Sequence, residues 1–215
     1  MPRFSTMLAA AALAATLAAT PAAAQNSGWY IGGGAGQSKA DFETGDFAGL
    51  ATGTYSVDDS DVGLRFFGGY RVTPNWGFEF SAATFGRFKH RYDNGGSVAV
   101  YNYDASALTA ALTAHLPLGG GVSANGRAGL ALTAANLSLA VDNGTATPRY
   151  CDNDWWYDDC TSVKSNLYWG LGLQFDINPS WGIRLDYDNY GTAGDQYESG
   201  RADIEQWSLN VLYNF

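Results

Sequence analysis

The stretch Asp203–Phe215, DIEQWSLNVLYNF, alternates between two kinds of side chain. Amides and hydroxyls dominate one set of positions, and the other set is aliphatic and aromatic: Trp207, Leu209, Val211, Tyr213 and Phe215. A period of two is typical of a β-strand, because successive side chains of an extended chain point to opposite faces. The edge of a final strand needs a partner, which the first strand of a closed barrel supplies. If the apolar face meets lipid, the pattern predicts a transmembrane strand.

The composition favours an all-β membrane protein. Aromatic residues make up 14% of the 215 residues, charged residues only 15%, and there are 27 glycines. Disordered acidic chains are poor in aromatics, and the net charge of -9 argues against a basic nucleic-acid surface. After the N-terminal segment, no run has the roughly 20 apolar residues of a membrane helix. Lipid then leaves a barrel as the only spanning architecture.

Residues 1–24 have the composition of a cleaved secretory signal. Arg3 precedes the apolar run Met7–Ala19, and Ala22–Ala24 supplies small residues for cleavage before Gln25. The alternative is a short helix of the folded domain. No cysteine follows the cleavage site, so no lipoprotein anchor is expected. The remaining residues, 25–215, are predicted to form one barrel domain in the outer membrane.

Two cysteines, Cys151 and Cys160, lie close together in a polar, turn-rich segment. In an exported chain such a pair predicts a disulfide. Zinc binding is the alternative, although no histidine accompanies the cysteines.

A glycine-rich run, Gly32–Gly36, is only superficially similar to a nucleotide-binding loop, since Gln37 stands where GxGxxG requires glycine. No cofactor and no resident metal are expected.

Seven further segments have strand character, which predicts an eight-stranded antiparallel up-and-down barrel. Tyr103–Leu116 and Val122–Leu137 are rich in Ala and Leu and also fit a helical hairpin, but their alternation, threonines and glycines favour strands. The remaining strand segments are Trp29–Ser38, Asp61–Val72, Trp76–Phe88, Lys164–Ile177 and a strand that begins at Trp181.

The connections between these strands alternate between long and short. Short periplasmic turns and long extracellular loops are typical of outer-membrane barrels. The long, polar connections are Lys39–Ser60, Lys89–Asn102, Ser138–Val163 and Thr192–Ala202. Aromatic residues at the short-turn end predict a girdle at the periplasmic interface, formed by Trp29, Trp76, Trp181, Tyr213 and Phe215.

Three stretches resemble the membrane domain of the outer-membrane protein A family and its small porin-like relatives. They are GGYRVTPNWGFEF (Gly68–Phe80), GLGLQFDINPSWGIRLDY (Gly170–Tyr187) and the terminal Tyr-Asn-Phe. The resemblance implies that Glu79, Arg127 and Arg184 take interior positions that form ion pairs in that family. Two positions depart from the family pattern, because Gln174 stands where Glu is frequent and His115 lies near a family Lys. Because the chain stops at Phe215, no peptidoglycan-binding domain is expected after the barrel.

An eight-stranded barrel is only wide enough for side chains to fill it. Inward-facing charged and polar residues therefore predict a charge-neutralising plug rather than a solute path. The function that this favours is that of a structural barrel whose loops act in envelope integrity, adhesion or recognition. A small gated or narrow porin-like channel is the alternative. The predicted plug residues are Arg65, Arg71, Glu79, Arg87, His115, Arg127, Gln174, Asp176, Arg184 and Asp186.

An enzyme that acts on lipid A would need a nucleophile and a histidine base near the outer leaflet. His115 lies at the opposite end, and Lys89–Arg91, with His90 at its centre, lacks a neighbouring serine and fits a basic patch for lipid phosphates. The sequence therefore predicts no enzymatic activity.

The loops suggest surface interactions without naming a partner. Acidic clusters such as Asp58–Asp59 could gather divalent cations that bridge lipopolysaccharide, although none matches the calcium-loop pattern. Trp155–Tyr157 could contact a receptor or the membrane surface. Expected partners are outer-membrane lipid and lipopolysaccharide, the barrel-insertion machinery and an unknown extracellular partner, but no nucleic acid.

Overall fold

The computed structural model describes residues 28–42, 54–93, 98–142, 153–154, 157–158, 161–194 and 202–215. Over these ranges the chain consists of strands, turns and short irregular positions. No helix in the described part of the chain is long and apolar enough to cross a membrane. Several sequence predictions lie outside these ranges: the signal segment, both cysteines and Trp155–Trp156.

The described residues form eight long antiparallel strands, joined side by side into one sheet. The second strand has two pieces separated by Asp59. A separate two-residue ladder pairs Asn153–Asp154 with Tyr157–Asp158. The strands are β1 (Gly28–Phe42), β2 (Thr54–Asp58 and Ser60–Arg71), β3 (Trp76–Asp93), β4 (Val98–Gly119), β5 (Val122–Asp142), β6 (Thr161–Asp176), β7 (Trp181–Ala193) and β8 (Ala202–Asn214).

The first and last strands close the barrel. β1 pairs with β8 from Tyr30 opposite Asn214 to Phe42 opposite Ala202. On its other side β1 pairs with β2, and each remaining strand pairs with its neighbours in the chain. β4 and β5 form a long ladder, so the helical-hairpin alternative for this region was wrong. The eight-stranded antiparallel barrel is thus confirmed, and closure pairs every strand of this sheet with two neighbours over the described residues.

The strands extend further toward the long connections than the sequence predicted. Lys89–Asn102, expected to be a loop, is mostly paired strand, with Asp93 of β3 opposite Val98 of β4. The other three long connections are shortened in the same way, because β1 reaches Phe42, β5 reaches Asp142 and β7 reaches Ala193. The ladder is held by backbone hydrogen bonds, which do not require apolar side chains. Polar composition therefore underestimated strand length.

The predicted inside and outside faces are confirmed along the strands. In β8, alternate residues from Gln206 to Asn214 are buried, whereas Trp207, Leu209 and Phe215 are exposed. In β7, Arg184, Asp186 and Asp188 are buried, in agreement with their predicted inward parity. The outward apolar side chains form the surface that a lipid-embedded barrel requires.

Two apolar clusters occupy the lumen. The smaller cluster, toward the short turns, contains Tyr30, Phe67 and Leu212. The larger one, toward the long connections, combines alanines with Phe85, Phe88, Tyr103, Tyr168, Tyr190 and Ile204. Between them lies a layer of charged side chains, so the lumen is filled through much of its depth.

Arg87 does not lie in the lumen, and its assignment to the plug was wrong. A β-bulge interrupts β3 between Thr84 and Arg87, where Gly86 has a φ of 77°. The extra residue leaves Phe85 and Phe88 buried and turns Arg87 outward. The regular alternation of inward and outward residues after Glu79 does not show where a bulge inserts an extra residue.

Candidate functional site

The charged layer of the lumen is built around Glu79 on β3. Its carboxylate accepts hydrogen bonds from three side chains of other strands. Arg65 Nη2 donates at 2.7 Å and Arg184 Nη1 at 3.0 Å. Tyr30 Oη donates at 3.1 Å. Because Glu79 is only 1% exposed, these donors replace the water that an ionised carboxylate would otherwise need.

Asp186 on β7 is a second centre of the layer. It accepts from Arg65 Nη1 at 3.0 Å, Arg127 Nη1 at 3.0 Å and Arg184 Nε at 2.9 Å. Asn210 Nδ2 donates a fourth hydrogen bond at 3.0 Å. Asp186 thus joins all three arginines of the layer through one carboxylate.

Asp188 completes the layer one inward position further along β7. Arg127 Nη2 donates to its Oδ1 at 2.9 Å, and Tyr168 Oη donates to the same oxygen. Arg65 Nη1 lies 3.6 Å from the other carboxylate oxygen. Three arginines, Arg65, Arg127 and Arg184, thereby face the three carboxylates of Glu79, Asp186 and Asp188. We call these six residues the charged layer, and its formal charge is zero.

Glycines and an aromatic ring make room for the layer. A Cβ added at Gly170 would meet the Asp188 carboxylate, and one added at Gly172 would meet that of Asp186. Phe67 contacts two of the cations, because its ring centroid lies 4.1 Å from the Arg184 guanidinium carbon and 4.9 Å from that of Arg65. Its π face supplies favourable electrostatics that an aliphatic side chain would not.

The structure brings together five of the ten predicted plug residues: Arg65, Glu79, Arg127, Arg184 and Asp186. Four others face inward but are not in the charged layer. Gln174 Nε2 donates to Asp176 Oδ1 at 2.6 Å, whereas Arg71 and His115 are buried among other polar groups. Arg87 lies on the outer wall, where its Nε is 2.9 Å from Asp104.

The prediction missed Asp188 as a plug residue, together with the hydroxyl donors Tyr30 and Tyr168. The alternation of β7 places Asp188 inward together with Asp186, but the predicted plug does not include it. The tyrosines are harder to recognise, because alternation cannot tell an inward apolar ring from an inward hydrogen-bond donor.

The predicted aromatic girdle lies on the outside of the barrel at the short-turn end. Trp29, Trp76 and Phe215 are exposed by 59, 61 and 70%, and Trp181 by 47%. Trp181 packs on Tyr213 at 5.0 Å between ring centroids. This position fits the membrane interface, where aromatic rings are enriched.

A second outward aromatic group was not predicted. Tyr187 of β7 contacts Trp169 of β6 at 5.5 Å and Trp207 of β8 at 5.0 Å between ring centroids. All three lie further toward the long connections than Trp181. The strand register that aligns them was not available from the sequence.

The charged layer is suited to filling space and holding neighbouring strands together. Its arginines and carboxylates form ion pairs with one another. In the part of the chain that the structure describes, no three His, Cys, Asp or Glu side chains are grouped to hold a metal ion.

A family model for the outer membrane protein beta-barrel domain matches residues 9–215. The chain belongs to this outer-membrane barrel family. It is 28% identical to outer membrane protein A of Salmonella typhi over 207 residues, which cover 96% of this chain and 53% of that protein. The barrel thus spans about half the length of the curated relatives it matches. The predicted family and outer-membrane localisation are confirmed.

Solved structures of small outer-membrane barrels share the fold. The barrel superposes on Ail, the attachment invasion locus protein of Yersinia pestis, with a TM-score of 0.53 and 18% identity, covering 89% of this chain and 100% of Ail. Neisserial surface protein A matches with a TM-score of 0.51 and 16% identity, covering 89% of this chain and 100% of that one. At these identities the likeness concerns the fold.

Proposed function

We propose that the protein is a structural outer-membrane barrel whose plugged interior holds the wall together while its loops act at the cell surface. The charged layer carries this proposal. Its six charged side chains come from β2, β3, β5 and β7 and are at most 4% exposed. A permanent water path would need exposed polar surface at this depth, and the layer has almost none.

The lumen on both sides of the charged layer supports a closed barrel over a channel. Tyr30, Phe67 and Leu212 are at most 5% exposed toward the short turns. Toward the other end, Phe85 packs on Tyr190 at 4.7 Å, and Tyr190 on Tyr168 at 5.4 Å, between ring centroids. A porin-like path would have to displace both apolar clusters and break the ion pairs.

Electrical recordings in planar lipid bilayers separate the structural barrel from the channel. We expect no steady conductance steps from the wild-type protein or from Arg87→Ala, a control on the outer wall. Glu79→Ala removes the shared acceptor of two arginines, and we expect it to produce transient openings. Long-lived, uniform steps from the wild-type protein would support the channel instead.

The surface role can be tested separately from closure. We expect cells that lack the protein to become more sensitive to detergent and the full chain to restore resistance. A variant with residues 143–160 replaced by a short Gly-Ser linker shows whether the barrel alone suffices. Unchanged resistance to detergent and unchanged surface adhesion after removal of the protein would contradict the proposed function.

We propose three further properties of the exported protein: its lipid contacts, its cleavage site and a disulfide. The outward apolar wall contacts lipid and lipopolysaccharide, cleavage precedes Gln25, and Cys151 forms a disulfide with Cys160. Thiol alkylation of the native protein, followed by mass measurement, should label neither cysteine before reduction. Labelling of both without reductant would contradict the disulfide.

We also propose that the barrel-insertion machinery recognises the aromatic face of β8 during assembly. Phe215 is 70% exposed, and its ring packs on Tyr213 at 5.1 Å between centroids. Deletion of Phe215 should lower the amount of heat-modifiable barrel in the outer membrane, whereas Phe215→Tyr should retain most of it. Equal amounts in the wild type and the deletion would contradict this proposal.

A further inference from the structure

The lumen next to the short turns contains a ring of buried polar side chains below the charged layer. Gly77 of β3 lies between two of its members, because it pairs with Arg71 on one side and Thr113 on the other. On β4 and β5, His115 lies opposite Asn125. We call the five buried residues Arg71, Thr113, His115, Asn125 and Gln174 the periplasmic cup.

Arg71 differs from the three arginines of the charged layer. Each of those forms ion pairs with two or more carboxylates. Arg71 is only 9% exposed, yet it forms no ion pair with any described residue. Its Nε has no hydrogen-bond partner, as is also true of Arg65 and Arg127. Its nearest aromatic contact is Tyr30, whose ring centroid lies 5.4 Å from the guanidinium carbon. A buried guanidinium in this condition lacks the direct ion pair that usually compensates for lost hydration.

Asp176 is the carboxylate that acts most strongly on Arg71 by electrostatic attraction, although the two form no ion pair. Its Oδ1 is already occupied by Gln174 Nε2 at 2.6 Å. Asp176 therefore balances the charge of Arg71 through space without satisfying its donor groups. A bound group that carries its own acceptor oxygens would satisfy them.

Other members of the cup also have unsatisfied polar atoms. Thr113 Oγ1 and His115 Nε2 have no hydrogen-bond partner, although these residues are only 2 and 7% exposed. Arg184 Nη2, at the boundary with the charged layer, is likewise without a partner. Most buried polar groups in proteins are hydrogen-bonded, so the unpaired atoms of the cup leave hydrogen bonds that a bound ligand would complete.

Gly77 lets the strands that carry Arg71 and Thr113 approach closely. A Cβ at this position would lie 2.5 Å from the Tyr70 carbonyl oxygen, 3.0 Å from Thr113 Oγ1 and 3.1 Å from the Arg71 Cα. The charged layer and the cluster of Tyr30, Phe67 and Leu212 fill the lumen above. The cup therefore lies on the side of the charged layer that faces the short turns.

We propose that the periplasmic cup binds a small oxyanion, with a carboxylate or phosphate group bound by Arg71 and the neighbouring hydroxyl and amide donors. Guanidinium groups suit such ligands because their planar N–H donors match two oxygens at once. Chloride has no such pair of oxygens. The cup ends at the charged layer, so the ligand binds without crossing the barrel.

Side-chain NMR of the folded barrel in detergent tests this site without a mutation. Inorganic phosphate and acetate are the two probes, titrated at constant ionic strength against sodium chloride. We expect the Arg71 Nε–H signal and the backbone amides of Thr113 and Asn125 to shift and saturate with at least one probe. The Arg87 Nε–H signal, from the outer wall, should not saturate.

Two variants show which groups bind the anion. Arg71→Met should abolish the saturable shifts at Thr113 and Asn125, while the matched control Arg87→Met should keep them. Thr113→Val, which preserves side-chain shape, should weaken the apparent affinity several-fold and serves as the informative variant if Arg71→Met does not fold. A response to phosphate but not acetate, or the reverse, identifies which oxyanion is bound. No saturable response to either probe, or an equal response in Arg71→Met, would overturn the proposal.

Discussion

Two ion-paired regions of the barrel have nearly the same contact distances but different surroundings. In the lumen, Arg184 Nη1 lies 3.0 Å from Glu79, and both side chains are 1% exposed. On the outer wall, Arg87 Nε lies 2.9 Å from Asp104, with side chains 57 and 40% exposed. Water and salt screen the outer pair, whereas the inner pair has only its protein partners. Burial and the number of shared partners therefore distinguish a structural ion pair from an incidental one.

The largest effect should come from Glu79→Ala, which removes the acceptor shared by Arg65 and Arg184. Breaking a buried ion pair leaves a charge without compensation, so we expect a loss of about 3–5 kcal/mol in the free energy of unfolding. Urea titration of the barrel in lipid vesicles, followed by heat-modified gel mobility, measures it. Glu79→Gln is the control, because it keeps the shape and part of the hydrogen bonding and should lose less. Equal stability of the wild type and Glu79→Ala would show that the lumen is hydrated enough to replace the carboxylate.

A glycine pair on β5 compares the inside and outside of the wall without changing charge. A Cβ added at Gly129 would fall on the backbone carbonyl of Ala110, whereas one added at Gly126 would meet nothing within 4 Å. We expect Gly129→Ala to cost about 1–3 kcal/mol through overpacking. Gly126→Ala should leave the unfolding midpoint near that of the wild type. Equal midpoints for the two variants would contradict the tight packing inferred for the inner face.

The smallest effect should come from the outer pair. Arg87→Ala and Asp104→Ala should each leave the unfolding midpoint unchanged within error, since both side chains can be hydrated when the partner is lost. Measuring both at low and high salt sharpens the comparison, because any small difference from the wild type should vanish in salt. A loss of stability as large as that of Glu79→Ala would mean that Arg87 and Asp104 are less hydrated than their exposure indicates.

The barrel could be predicted from the sequence because the alternation of side chains that marks a strand is a local pattern and recurs in each strand. Side chains such as Arg184 and Asp186 must share a face when the strand is regular, so alternation alone assigns them to the lumen. Arg87 escaped this rule because a bulge at Gly86 inserts one residue, and no pattern of polarity marks an insertion. Polarity also fails to mark the strand ends. The strands are longer than predicted because backbone pairing continues through polar residues.

The site itself could be predicted only in part. Parity indicates which residues face inward, but the depth at which strands meet depends on register across the barrel. That register places Asp188 against Arg127 and Tyr168 and leaves Arg71 outside the charged layer. Glu79 is the third residue after Trp76, and Arg184 is the third after Trp181. Because both tryptophans follow short turns, the sequence places these two side chains at a similar depth. No equivalent count was available for Arg71.

The most direct test of the charged layer is a double-mutant cycle on Glu79 and Arg184, with unfolding free energies measured in the same lipid for Glu79→Ala, Arg184→Ala and the double variant. Each single change leaves charges in the layer without a partner, while the double change removes one of each sign. We therefore predict that the double variant loses less stability than the sum of the two single losses, by about 1 kcal/mol or more. Strictly additive losses would contradict an ion-paired, water-excluding interior.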